Sequence, residues 1–145
     1  MTAELMRERY EIQGGNFDTA GEISGEIKVI LRDLGIDAAN LRRLVVVAFE
    51  AEMNLVMYAR RGTLTFILTD NEVNLEIRDE GPGIPDLELA FQEGYTTATD
   101  EMRELGFGFG MGLPNMKKNS DELKIETEVG IGTSVFARIR LDAHE

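Results

Sequence analysis

Two hydrophobic rhythms run through the chain, a helical one that returns to the same face every three or four residues and an extended one that alternates. Glu8 to Gln13 is a short strand candidate. After the turn-forming Gly14-Gly15-Asn16, Asp18 can cap a helix whose apolar stripe is Ile23, Ile27, Ile30, Leu31 and Leu34, closed by Gly35. Asp37 offers a second N-cap, and Leu41 to Arg61 predicts a long helix stopped by Gly62 in the left-handed conformation. Alternation then predicts strands at Thr63 to Thr69 and Val73 to Arg78, joined through Asp70-Asn71 as a hairpin. Asp79 to Pro85 has turn chemistry and Asp86 to Gln92 predicts a short helix. Gly94 to Gly112 is a glycine-dense loop too long for a plain connector. A short helix from Leu113 to Asn119, with Pro114 in its first turn, precedes a second hairpin, Leu123 to Val129 and Thr133 to Leu141 around Gly130-Ile131-Gly132. Helices segregated from antiparallel strand pairs predict an α+β fold, a sheet covered on one face by helices. No repeat or linker-like composition shift divides residues 1–145, so these pieces are expected to share the core of a single domain.

The second predicted helix is apolar around most of its circumference, so it should be buried on more than one side. Four polar residues nevertheless fall on one strip, Arg43, Glu50, Asn54 and Arg61, because their spacings of seven, four and seven residues nearly close whole turns. On most helices such a strip is the solvated face. Here it is flanked by Val46, Val47 and Met57, and a carboxylate between bulky apolar groups is partly desolvated, which suits Glu50 to general-base work. Glu52 lies on the other side of the helix and is not paired with Glu50.

Two glycine-rich segments follow. In Asp79-Glu80-Gly81-Pro82-Gly83-Ile84, glycines spaced by two let backbone approach a ligand, and an Asp at a strand end can accept a hydrogen bond from an amino group; a plain turn explains Gly81 and Pro82 equally well. In Gly106-Phe107-Gly108-Phe109-Gly110-Met111-Gly112-Leu113, alternating glycines lead into a helix, whose unpaired first N–H groups and dipole favour an anion such as phosphate. A hinge or lid without a ligand is the plainer explanation of that segment. Its spacing does not fit a dinucleotide fingerprint, since Met111 and Leu113 stand where glycine is needed, and no G-x-x-x-x-G-K-[ST] occurs.

Composition narrows the chemistry. A formal charge of −12 and a pI near 4.5 disfavour nucleic acid and anionic membrane as partners. With 0 Cys, thiolate nucleophiles, disulfides and thiolate metal sites are excluded, and His144 is the lone imidazole, so a carboxylate must supply any base. The charged amino terminus MTAELMRERY lacks the apolar core of a signal peptide, and Leu44 to Phe49 is far too short to span a bilayer, so a soluble cytoplasmic protein is expected. An acidic chain that binds polyphosphate must offset its own field, for which a divalent cation is the obvious means. Mg²⁺ needs only one or two protein oxygens beside phosphates and waters, and the Asn54 amide offers one.

In order along the chain stand E-x-x-x-N (Glu50, Asn54), D-x-G-x-G (Asp79, Gly81, Gly83), G-x-G-x-G-L (Gly108, Gly110, Gly112, Leu113) and G-x-G-T (Gly130, Gly132, Thr133). This order resembles the ATP-binding fold shared by gyrase, Hsp90, histidine kinases and MutL, and specifically its small bacterial branch of anti-sigma-factor and switch-protein serine kinases. EAEMNLVMYA, with Tyr58-Ala59 where many relatives have His-Ala or His-Gly, DEGPGIPDLELAFQEGYTT and GMGLPNMKK carry the likeness to that branch. The resemblance implies the two-layer α/β sandwich known as the Bergerat fold, with a mixed, mostly antiparallel sheet. It implies Glu50 as general base, Asn54 as Mg²⁺ ligand and Asp79 as partner of the adenine amino group. Gly83 and Ile84 would border the base pocket, and Gly106, Gly108, Gly110, Met111, Gly112 and Leu113 would wrap the phosphates. Thr133 would lie beneath adenine. The segment Thr97 to Phe109 is longer than the usual lid, and Arg103, Lys117 and Lys118 read as solvated positions.

The function so implied is Mg²⁺-dependent transfer of the ATP γ-phosphate to a Ser or Thr of an anti-sigma-antagonist (STAS-type) partner. The alternative is an ATP-gated switch that sequesters a sigma factor or partner without phosphorylating it. A detached histidine-kinase catalytic domain lacks support, because no upstream helix carries a phosphoacceptor His and His144 is terminal. The apolar first helix belongs either to the core or to a homodimer contact.

Overall fold

The computed structural model describes residues 3–100, 102 and 111–141. Five strands, β1 (Glu4–Gln13), β2 (Arg61–Thr69), β3 (Glu72–Glu80), β4 (Glu122–Glu128) and β5 (Gly132–Arg140), form one sheet in the order β1-β2-β3-β5-β4. Both expected hairpins are present. Every pairing is antiparallel, which makes the sheet more uniform than the mixed one the resemblance implied. The described helices are α1 (Glu22–Asp33), α2 (Ala38–Tyr58), α3 (Leu87–Ala90) and α4 (Gly112–Asn119).

Alternation fixes which face of the sheet they cover. Leu64, Phe66 and Leu68 on β2, Leu75 and Ile77 on β3, and Ala137 and Ile139 on β5 are buried in one cluster with Ile27 and Leu31 of α1, Leu44, Val47 and Leu55 of α2, and Met116 of α4. The intervening positions turn the other way, so that Arg9, Thr65, Glu76, Phe136 and Lys124 share a rung across all five strands. The result is an α+β two-layer sandwich. The apolar stripe of α1 joins the core, with Ile27 and Leu31 fully buried. No helix among the described residues is long and apolar enough to cross a membrane.

Among the boundaries that differ from the sequence pattern, four do so for a tertiary reason. Strand β1 begins at Glu4 rather than Glu8, because pairing with β2 supplies what its charged first half cannot signal. Helix α2 stops at Tyr58, with Ala59 extended, and Gly62 lies within β2 instead of ending the helix. The glycine there is a steric need: a Cβ would stand 2.4 Å from the Arg78 carbonyl oxygen. Arg61 consequently belongs to β2, where it pairs with Glu80 at 2.8 Å, and it leaves the polar strip of α2. Strand β3 runs on to Glu80, making Asp79 a strand residue.

The start of α1 is the fourth. Asp18 lies in a single 3-10 turn and caps nothing; the N-cap is Gly21 at φ 95°. Its acceptor comes from α2. The Glu52 carboxylate, 1% exposed, accepts hydrogen bonds from the backbone N–H groups of Gly21 (3.0 Å), Ile23 (3.4 Å) and Ser24 (2.9 Å). Glu52→Ala should therefore strip three backbone donors, one buried and two part-buried, of their acceptor and cost about 2–3 kcal/mol in urea denaturation, with Glu52→Gln costing less because one oxygen remains. An Ala variant as stable as the parent would contradict this role.

Candidate functional site

Helix α2, the end of β3, the loop that follows it, the first turn of α4 and the start of β5 enclose a cavity of about 440 Å³. From α2, one helical turn brings Glu50 and Asn54 to the same wall. From the sheet come Asp79 and Thr133, from the loop Gly83 and Ile84, and from α4 Met111, Gly112 and Leu113.

Glu50 Oε2 accepts a hydrogen bond from Asn115 Nδ2 at 2.7 Å. The Asn54 side chain makes no hydrogen bond to any described residue, so its amide oxygen is available to the cavity. Gly112 makes room for it, since a Cβ at that position would sit 3.2 Å from Asn54 Oδ1. An unpartnered amide oxygen in a cavity wall suits Mg²⁺, which favours hard oxygen donors and completes its shell with phosphate and water. No cluster of three His, Cys, Asp or Glu able to hold a metal occurs among the described residues.

Asp79 Oδ1 accepts from the Thr133 N–H at 3.0 Å. Burial pushes its carboxyl above the ordinary range, and the Thr133 hydrogen bond pulls the other way. The glycine of G-x-G-T serves this contact: a Cβ on Gly132 would stand 2.1 Å from the Asp79 carbonyl oxygen, so only glycine lets β5 deliver the Thr133 amide. The loop is tied down as well. Ile84 N–H donates to Thr127 Oγ1 at 2.8 Å, and Thr127 Oγ1 lies 2.9 Å from Thr133 Oγ1. Gly83, at φ 75°, lies so close to β4 that a Cβ would be 2.5 Å from the Glu128 carbonyl oxygen.

Not every expected residue reaches the cavity. Gly81 packs instead on Ala59, whose Cα would be 3.1 Å from an added Cβ, so the plain-turn explanation describes it. Arg43 pairs with Asp121 at 3.1 Å. Lys117 sits 5.6 Å from the centre of the Phe91 ring and Lys118 lies 3.7 Å from Glu93, both on the solvated side as expected. Gly106, Gly108 and Gly110, with Arg103 and His144, lie outside the described residues. Sequence reasoning missed Asn115 and Thr127. The one faint signal for Asn115 was its place in the first turn of the helix that follows the glycine segment.

The model of the histidine kinase-, DNA gyrase B-, and HSP90-like ATPase family matches residues 39–143, a span that holds all of α2 but its first residue and every cavity residue named above. The chain belongs to that family. Among its relatives in this ATPase family is the serine/threonine-protein kinase RsbT of Bacillus subtilis, 28% identical over 112 residues, which are 74% of this chain and 78% of the relative. The anti-sigma F factor of Geobacillus stearothermophilus is 34% identical over 104 residues, 68% of each chain. That of Shouchella clausii is 34% identical over 116 residues, 80% of this chain and 68% of the relative. These relatives put the chain in the serine-kinase and anti-sigma branch of the ATPase family.

Proposed function

We propose that the chain is a Mg-ATP-dependent protein serine/threonine kinase of the anti-sigma or switch type, acting in the cytoplasm on a STAS-type antagonist of a sigma-factor system. One observation carries this reading: Glu50, Asn54 and the Asp79–Thr133 pair share one cavity. The Asp79 carboxylate would take the adenine amino group, with Thr133 beside the base and Ile84 and Gly83 against it. The triphosphate would then run toward Asn54 and the start of α4, where the helix dipole favours negative charge. Glu50 would accept the proton of the Ser or Thr hydroxyl as its oxygen attacks the γ-phosphorus and the bond to the bridging oxygen of ADP breaks. Mg²⁺, held by Asn54, would supply charge neutralisation on the phosphate oxygens.

Incubation with γ-labelled ATP and each purified STAS-type antagonist of the source organism tests the reading. Label on a serine or threonine of one antagonist is the expected result. Tight ATP-dependent capture of a partner without label would instead identify a non-catalytic switch.

The role of Asn54 has its own check. Asn54→Ala should weaken ATP binding about tenfold or more in Mg²⁺ and little in the presence of chelator. Equal losses in both conditions, measured by calorimetry, would remove the metal role.

A further inference from the structure

The contact between Glu50 and Asn115 joins two helices far apart in sequence, and its surroundings make it rigid. Met116 is fully buried and Leu113 nearly so, and these two side chains fix the rotation of α4 against the core. The Asn115 backbone is held on both sides, its N–H donating to the Met111 carbonyl at 2.9 Å and its carbonyl accepting from Asn119 Nδ2 at 2.8 Å. Its amide thus approaches Glu50 Oε2 from a fixed direction, at 2.7 Å. Glu50 Oε1 accepts no hydrogen bond from a described residue. A glutamate on a helix has several rotatable bonds, and one charge-assisted hydrogen bond from a fixed donor selects among its rotamers.

We propose that Asn115 is a positioning residue: its amide holds Oε2 of Glu50 and leaves Oε1 directed at the acceptor hydroxyl. The proposal rests on the reading of Glu50 as the base. Its structural consequence is that α4, which begins at the glycine segment, orients the base through its first turn. Positioning of this kind acts on the chemical step and leaves nucleotide affinity alone.

Asn115→Leu separates positioning from packing, because leucine nearly matches the shape of asparagine and has no donor for a carboxylate. Two measurements on the full chain are needed. The first is the rotamer of Glu50, read from its side-chain NMR couplings. The parent should show one rotamer, and Asn115→Leu and Asn115→Ala should show averaged values. The second is the slow hydrolysis of Mg-ATP, water standing in for the hydroxyl, where both variants should lose about tenfold or more in kcat with KM for ATP within about twofold. An Asn115→Leu chain that keeps the parental Glu50 rotamer overturns the proposal, as does one that keeps the parental kcat where Glu50→Gln has lost it. A Glu50→Gln chain as active as the parent removes the base reading itself and the proposal with it.

Discussion

Glu50→Gln is expected to lower phosphoryl transfer by about 10²–10⁴-fold, the usual worth of a positioned general base, while ATP affinity stays within about twofold. The separation follows from the geometry. Glutamine is isosteric, and its carbonyl oxygen can still accept from Asn115 Nδ2, so the wall of the cavity keeps its shape. What it cannot do is take a proton from the hydroxyl. Initial rates with a labelled acceptor and calorimetric ATP titration of the same preparation measure the two quantities independently. A glutamine variant that transfers at the parental rate removes Glu50 from the base role, and one that loses binding and transfer together makes it a ligand-binding residue instead.

Asp79→Asn should lower ATP affinity by about 100-fold. Oδ1 of Asp79 already accepts from the Thr133 N–H. An asparagine there has one oxygen for that donor, and its NH₂ would meet the adenine amino group donor to donor. Discrimination against GTP should fall in the same variant, because a carboxylate repels the guanine carbonyl and an amide does not. The pH dependence has a definite sign. Burial raises the Asp79 carboxyl above its unfolded value, so its contribution to stability is present at low pH and is lost as pH rises through the folded value. An adenine amino donor favours the charged carboxylate. ATP binding should therefore weaken as pH falls through that raised value in the parent chain and stay flat over the same range in Asp79→Asn. A variant with parental affinity, or with the parental pH profile, would take Asp79 out of the base pocket.

The parts of the site visible in the sequence were those that local geometry determines. Glu50 and Asn54 share a wall because four residues close one helical turn, and both hairpins follow from alternation. Contacts between distant segments were hidden. Gly62 resembled a helix stop because the periodicity of α2 runs up to it, whereas the close approach of β3 is what demands glycine there. Gly132 stood in the sequence only as part of the turn Gly130-Ile131-Gly132 and of G-x-G-T, yet its role is to let Thr133 reach Asp79. Glu52 was correctly set apart from Glu50, but that it caps α1 depends on how two helices dock. Asp18 was the acidic residue just upstream of α1 and lost that role to one 31 residues from Gly21. Asn115 escaped for the same reason, being 65 residues from the carboxylate it holds.

The central claim is that the cavity between α2, the end of β3 and α4 takes Mg-ATP. Calorimetric titration of the full chain with Mg-ATP at neutral pH tests it most directly. Saturable one-to-one binding that Glu50→Gln preserves and Asp79→Asn largely abolishes is the expected result. Absence of binding, or binding indifferent to Asp79, would contradict it.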